Sequence, residues 1–338
     1  MTAVRDARPL APLPMVPPSL PPAITAALEA RLHGLSRVEA ARRQSAISRT
    51  YRGGGGSEAI RTEADALTYA LARMPATYAA VTACLNAIGE INPDFAPKTL
   101  LDCGAGPGTA SWAIATWAAS HAVGLDAITL LDANPALRAL ALTLADAMAL
   151  TPRYDLGDIG TTLASAEPTD FVVASYVINE LPAAQQASLA DALWAKTNDT
   201  LLVVEPGTPA GYARIIALRS RLIAQGAHVI APCPHDDACP LASPDWCHFV
   251  QRLPRSRAHM ALKAAEVPVE DEKFTYVALS RSFPSRRPPR VLAPPDITKI
   301  AVTAKLCTAD GLAFASAPKR DKPAYQRFKK LGWGDAVS

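Results

Sequence analysis

The 338-residue sequence predicts an α/β protein whose central sheet is doubly wound and mostly parallel. Between residues 98 and 225, four short apolar runs alternate with four amphipathic helical segments. This alternation is typical of βαβ units, which place helices on both faces of a parallel sheet. A glycine-rich turn follows the first run directly, and strand-to-helix turns of this kind commonly bind ligands at the helix N-terminus.

Each of the four units joins a predicted strand to a predicted helix. In chain order the pairs are TLLDCG with TASWAIATWAA, ITLLDA with PALRALALTLADAMA, FVVASYVINEL with PAAQQASLADALWA, and TLLVVEPG with PAGYARIIALRSRLIAQ. Residues 228–260 then interrupt the alternation with proline, cysteine and histidine. Strand patterns return at KFTYVALS, and KIAVTAKLC and LAFASA are predicted to pair across a turn at Ala309, Asp310 and Gly311.

The chain is predicted to contain further segments on either side of these units. Residues 1–22 include seven prolines, which remove backbone donors and fix φ, so an extended arm is expected. Residues 23–95 are predicted to form a helical cap, interrupted by the flexible glycine run Gly53–Gly56. The remaining segments are the α/β domain 96–317, its cysteine-containing insertion 228–260, and a basic tail 318–338.

The composition is that of a globular enzyme, with 49% hydrophobic residues and a formal net charge of only +3. The N-terminus lacks the apolar core of a secretory signal, and no apolar run is long enough to span a bilayer. We therefore predict a cytoplasmic protein with no membrane association. In that compartment, six cysteines are expected to bind metal or to be buried rather than to form disulfides.

The glycine-rich turn LLDCGAGPGTA differs from a dinucleotide-binding turn, which would carry its third glycine one residue later, at Thr109. Its D-x-G-x-G-x-G pattern is similar to the first motif of class I methyltransferases. In those enzymes the acid and the loop backbone hold the methionine end of S-adenosylmethionine. The candidate cofactor-binding residues of the turn are therefore Asp102, Gly104, Gly106 and Gly108.

Two further acids follow predicted strands. Asp132 ends the second strand, where an acid accepts hydrogen bonds from the ribose hydroxyls of a nucleotide cofactor. The alternative is that Asp132 is a helix N-cap ahead of Pro135. Asp158, after the third strand, is a candidate for the adenine side. No catalytic residue is assigned, because the fourth strand is not followed by the Asn/Asp-Pro-Pro-aromatic run of many base methyltransferases.

Four cysteines have a spacing that suggests a metal site, and they are Cys233, Cys239, Cys247 and Cys307. Four thiolates suit either a tetrahedral zinc ion or an iron-sulfur cubane, and the residue types alone leave both open. His235 and His248 are alternative ligands or simply loop histidines. Cys84 is expected to lie in the core, and Cys103 is expected to pack under the cofactor.

The C-terminal part of the chain concentrates positive charge. From Arg281 to the C-terminus there are twelve Lys and Arg but four Asp and Glu, a local net charge of +8. The densest part consists of Lys319, Arg320, Lys322, Arg327, Lys329 and Lys330, with Tyr325 and Phe328 between them. Such a segment can neutralise phosphates while aromatic rings stack on unpaired bases. The alternative is a solvated basic end with no partner.

Several segments together resemble the methyltransferase-like family associated with the mitochondrial small ribosomal subunit, and its bacterial relatives. They are LLDCGAGPGTA, SYVINELP, VVEPGTPAG, CPHDDACPL, DWCHFVQRLPRS and EDEKFTYVALSR. The resemblance spans roughly Ala70 to Cys307. It implies a class I methyltransferase fold and a 4Fe–4S cluster rather than zinc, held by Cys233, Cys239, Cys247 and Cys307.

The same resemblance implies partners and a function. The expected partners are the small ribosomal subunit and its rRNA, and the chain is expected to be a monomer when it is off the ribosome. The expected function is that of an S-adenosylmethionine-binding, iron-sulfur-containing protein that methylates this rRNA or acts in subunit assembly and translation. The alternative is a non-catalytic assembly factor that uses the methyltransferase fold as an RNA-binding scaffold.

Overall fold

The structure is a computed structural model that describes residues 15–32, 36–52, 55–263 and 265–337. Most of the predicted N-terminal arm and two of the four glycines, Gly53 and Gly54, therefore lie outside the described residues. The described end of the arm packs against the protein. The backbone N–H and C=O of Val16 are hydrogen bonded to the side chain of Asn86, at 3.3 and 3.2 Å.

The described part of the N-terminal region contains three α-helices, α1 (Pro22–Ala30), α2 (Arg37–Arg52) and α3 (Glu63–Ile91), with a short 3-10 turn at Ser57–Ala59. The longest, α3, begins with a capping box in which Thr62 and Asp65 exchange hydrogen bonds between side chain and backbone. It continues through Pro75, and most of its residues are buried. Because α3 packs against the central sheet and its helices, the N-terminal region shares one hydrophobic core with the α/β domain.

The central region alternates strands and helices as predicted. The elements are β1 (Thr99–Cys103), α4 (Thr109–Ser120), β2 (Ala127–Asp132), α5 (Pro135–Ala147), β3 (Arg153–Leu156), α6 (Ile159–Ser165), β4 (Thr169–Ser175), α7 (Ala183–Ala195), β5 (Thr197–Pro206), α8 (Pro209–Ile223), β6 (His228–Ala231), β7 (Phe249–Pro254), α9 (Arg257–Lys263) and β8 (Val269–Ser280). Residues 232–248 form no helix or strand, so the cysteine segment is an irregular loop between β6 and β7.

These strands form one eight-stranded sheet in the order β3-β2-β1-β4-β5-β8-β6, with β7 also paired to β8. The first five strands are parallel to one another, and β8 is antiparallel to β5. This order, with one antiparallel strand beside β5, is that of the class I methyltransferase fold. The predicted fold class is therefore confirmed.

Both faces of the sheet are covered, which explains the continuous apolar runs of its strands. In β1, Leu100 and Leu101 are both fully buried but belong to different hydrophobic clusters. Successive side chains of a strand point to opposite faces, so each cluster takes alternate residues. Helices α3, α4 and α5 cover one face, and α7 and α8 cover the other.

The C-terminal residues form a second, smaller sheet. It consists of β9 (Arg290–Val291), β10 (Asp296–Ile297), β11 (Ala301–Thr308) and β12 (Gly311–Pro318), followed by α10 (Lys322–Phe328). The hairpin of β11 and β12 turns where it was predicted. The small sheet has its own core, which includes Val302, Leu306 and Phe328.

Tyr325 and Phe328 were the two aromatic residues of the tail that could stack on an unpaired base, and the structure excludes Phe328 from this role. Phe328 is only 2% exposed, because α10 packs its apolar side against β11 and β12. The tail is thus folded against the small sheet. Its exposed cations are Lys319, Arg320, Lys322, Lys329 and Lys330. Within the described ranges, no helix is long and apolar enough to cross a membrane.

Candidate cofactor cavity and cysteine site

The glycine loop after β1 adopts a conformation that requires glycine. Gly104, Gly106 and Gly108 have φ angles of +71°, +54° and +80°. A Cβ on Gly108 would lie 2.4 Å from the ring of Trp112, and one on Gly104 would lie 2.4 Å from Val177. Left-handed backbone and close packing therefore both exclude larger residues here. A Cβ on Gly106 would meet only Leu137, at 3.7 Å, so this part of the loop borders open space.

Asp102 lies in β1, two residues before the first glycine of this loop. It is fully buried, and its Oδ2 accepts hydrogen bonds from the backbone N–H and the hydroxyl of Ser111, at 3.1 and 2.8 Å. Burial raises the pKa of Asp102 to about 7. Its Oδ1 has no partner within the described chain. A cavity borders the glycine loop and is lined by Gly104 and Gly106, but Asp102 is not among its lining residues. The structure therefore places Asp102 as the residue that joins β1 to the start of α4.

Asp132 reaches the cavity directly. Its Oδ2 accepts from the Gly106 N–H and its Oδ1 from the Asn134 N–H, both at 2.8 Å. Burial raises its pKa. The N-cap of α5 is instead Asn134, whose side chain accepts from Ala136 and Leu137, both at 3.0 Å. Because a carboxylate has about four acceptor positions, Asp132 retains capacity for ligand hydroxyls.

Asp158 has a different position from the other predicted residues. It is exposed and caps α6, where its Oδ1 accepts from the Gly160 N–H at 2.9 Å. It is not among the residues that line the cavity. Its assignment to the adenine side therefore stays a prediction without a contact to support it.

The cavity beside the glycine loop has a second wall that sequence reasoning missed. Helix α3 contributes Tyr69, Arg73, Met74 and Thr77, and the segment after β4 contributes Tyr176 and Glu180. Tyr176 has a φ of +59°, which is strained for a bulky residue and is typical of functional sites. Burial, together with the nearby charge of Asp132, raises the pKa of Glu180 to about 8.

The four predicted metal ligands line one cavity, together with residues of α8 and β8. Cys233, Cys239 and Cys247 come from the irregular loop, and Cys307 comes from β11. The Tyr212 hydroxyl donates to the Cys239 Sγ at 3.2 Å, and the Cys307 Sγ lies 3.5 Å from His235 Nε2. No three His, Cys, Asp or Glu side chains among the described residues are arranged to hold one metal ion.

The charges around the cysteines are unusual for a protein interior. Arg219 is 1% exposed, and its guanidinium donates to the His235 carbonyl at 2.7 Å, while its Nε has no partner in the described chain. Burial raises the pKa of Cys307 to about 12 and also raises that of Cys233, and Arg219 offsets part of both effects. A buried guanidinium needs a negative partner, and thiolates bound to a metal would supply it.

Known structures with a similar fold include two methyltransferases. Magnesium protoporphyrin IX methyltransferase from Synechocystis PCC 6803, with bound SAM, has a TM-score of 0.40 and 13% identity over 69% of this chain and 89% of that one. Ribosomal protein L11 methylase from Lactobacillus delbrueckii has a TM-score of 0.36 and 14% identity over 60% and 79%.

Sequence relatives match more of the chain. Human mitochondrial ribosome assembly protein METTL17 is 30% identical over 296 residues, covering 82% of this chain and 63% of that protein. The mitochondrial Rsm22-cox11 tandem protein 2 of Schizosaccharomyces pombe is 23% identical over 337 residues, covering 82% and 44%. The chain therefore spans less than two thirds of either relative.

These relatives correct the predicted location. Both are named as mitochondrial proteins, so the cytoplasmic prediction is wrong. A family model described as "Mitochondrial small ribosomal subunit Rsm22" matches residues 63–338, and this range extends beyond the segments of resemblance to include the basic tail. The match covers both sheets and all four cysteines of the cavity, and the chain belongs to the Rsm22 family.

Proposed function

We propose that this chain acts in assembly of the small ribosomal subunit, binds S-adenosylmethionine at the glycine loop, and holds a 4Fe–4S cluster at its four cysteines. The assembly role follows the family and the human relative, whose name describes a ribosome assembly protein. The observation that carries the cofactor assignment is the contact between Asp132 and the Gly106 N–H at the edge of the cavity.

S-adenosylmethionine fits this edge of the cavity because its ribose hydroxyls and its methionine end each have a suitable group of the protein to contact. The ribose hydroxyls can donate to Asp132 at the end of β2, and the glycine loop allows close approach where Gly106 borders open space. When bound, the cofactor would supply an activated methyl group. The residues of this chain would bind it, exclude water and orient it beneath α3.

Asp132→Ala is expected to weaken binding of S-adenosylhomocysteine by about ten- to a hundredfold, because a hydrogen bond to a charged acceptor is worth about 1.5 to 3 kcal/mol. Isothermal titration calorimetry on the full chain measures this. The matched control is Asp126→Ala, which removes an exposed acid directly before β2, at the opposite end of that strand from Asp132 and outside the cavity lining. Equal affinities for the wild type and Asp132→Ala would refute the ribose assignment.

Glu180 is expected to make the preference for S-adenosylmethionine over S-adenosylhomocysteine increase with pH. Its pKa of about 8 means that it is mostly protonated at pH 7 and ionised at pH 9. The ionised form attracts the sulfonium cation, which only the methylated cofactor carries. The affinity ratio of the two ligands should therefore rise up to about tenfold over this interval. Glu180→Gln should abolish the rise, and a constant ratio in the wild type would contradict the prediction.

An iron-sulfur cluster is favoured over zinc by the family resemblance of the segments that carry the cysteines. All four cysteines line one cavity, which the buried Arg219 also lines. Four thiolates around such a cluster would also provide the negative charge that the buried Arg219 lacks.

A non-catalytic assembly factor is the second candidate, and one feature of the cavity favours it. The segment after β4 carries Tyr176 where many base methyltransferases have an Asn/Asp-Pro-Pro-aromatic run, and the hydroxyl of Tyr176 is already bonded to Glu272 at 2.8 Å. Incubating the cluster-loaded protein with labelled S-adenosylmethionine and small-subunit RNA separates the candidates. Transfer of label to RNA would identify an enzyme, and cofactor binding without transfer would identify a scaffold.

A further inference from the structure

We propose that Arg73, on the helix that covers the cavity, binds the carboxylate at the methionine end of the cofactor. This inference rests on the proposed cofactor binding and extends it to a second wall of the site. It assigns to α3 a direct role in ligand recognition.

The position of Arg73 follows from the strand order. Asp132 lies at the end of β2 and Tyr176 directly after β4, and these strands flank β1 on opposite sides. A cofactor with its ribose at Asp132 therefore extends across the glycine loop toward β4. Arg73 lies at that end of the cavity, with its guanidinium carbon 5.8 Å from the centre of the Tyr176 ring.

The hydrogen-bonding capacity of Arg73 is largely unused. Its Nη2 is 3.6 Å from Glu272 Oε1, too long for a hydrogen bond, and that oxygen already accepts from the Tyr176 hydroxyl at 2.8 Å. A guanidinium carries five N–H donors in a planar fork. The side chain is 40% exposed in this structure, so donors remain available to a ligand in the cavity.

The charges of the cavity determine which part of a ligand goes to Arg73. Asp132 and Glu180 are acids, and among the described residues that line the cavity Arg73 is the sole cation. S-adenosylmethionine carries one carboxylate and two cationic groups. An ionised acid repels the carboxylate and attracts the cations, and Asp132 lies at the ribose end, whereas the planar fork of an arginine binds a carboxylate through two parallel hydrogen bonds.

The test compares two ligands that differ at this end only. S-adenosylhomocysteine has the amino-acid carboxylate, and 5′-methylthioadenosine retains the adenosine and the thioether without it. In calorimetry on the full chain, Arg73→Met should weaken S-adenosylhomocysteine binding by about ten- to a hundredfold. Binding of 5′-methylthioadenosine should stay within about twofold of the wild type. Arg73→Lys keeps the charge but loses the fork, and should give an intermediate loss.

The retained binding of 5′-methylthioadenosine also shows that the variant folds. Arg153→Met, which removes an exposed arginine paired with Asp155 on β3, is the matched control and should change neither affinity. Equal losses for both ligands, or no loss for either, in Arg73→Met would overturn the inference. If the wild type binds neither ligand, the proposed cofactor is refuted and the role of Arg73 with it.

Discussion

Cys247→Ser is expected to abolish cluster binding and to destabilise the loop between β6 and β7. Wild-type protein purified without oxygen should be brown, with about four iron and four sulfide per chain, as four thiolate ligands of a cubane imply. Losing one ligand leaves the other thiols without the metal bonds that hold them, and leaves Arg219 buried without a counter-charge. Iron, sulfide and zinc analysis, visible absorption and thermal unfolding measure the effect.

The effect should extend to the small sheet, because Cys307 lies on β11 whereas the other three cysteines lie on the loop of the central domain. The proposed cluster therefore connects two parts of the molecule that have separate hydrophobic cores. Cys84→Ala is the matched control, since Cys84 is buried in α3 and does not line the cysteine cavity. Stoichiometric zinc in a colourless anaerobic preparation of the wild type would contradict the cluster assignment.

Replacing five surface cations of the C-terminal segment with glutamine is expected to weaken binding to small-subunit RNA and to flatten its salt dependence. The five are Lys319, Arg320, Lys322, Lys329 and Lys330, all exposed. If each meets one phosphate, the slope of log affinity against log salt should become less negative by about 3.5 to 4.5. Fluorescence anisotropy with an rRNA fragment across a salt series measures this slope.

Because the tail is folded, its role in RNA binding is tested by substitutions of surface residues and not by a deletion. Deleting residues 318–338 would remove Phe328 and Leu331 from the core of the small sheet, so lost binding could not be separated from unfolding. Charge substitutions on the surface avoid this problem. The matched control replaces five exposed cations elsewhere with glutamine: Arg42, Arg49, Arg61, Lys98 and Arg153. Equal slopes for the C-terminal variant and the control would refute an RNA-binding role for the tail.

Local patterns in the sequence were sufficient for the sheet and for part of its site. Apolar runs of strand length between amphipathic helices predict parallel βαβ units, because helices and strands differ in the spacing of their apolar residues along the sequence. The glycine loop was also recognisable, because left-handed backbone at Gly104, Gly106 and Gly108 requires a residue without Cβ. Both signals lie within a few neighbouring residues.

Sequence alone determined that this chain has a methyltransferase-type sheet and a glycine loop with Asp132 at the next strand end, and it predicts a metal site at four cysteines. Only the tertiary structure decided which residues meet. In the folded chain Asn134 is the N-cap of α5, and Arg73 lies near Tyr176 although 103 positions separate them in sequence. Cys307 lines the same cavity as the loop cysteines, and Phe328 is buried. Contacts between distant elements depend on how helices and sheets pack, and no local periodicity encodes that packing.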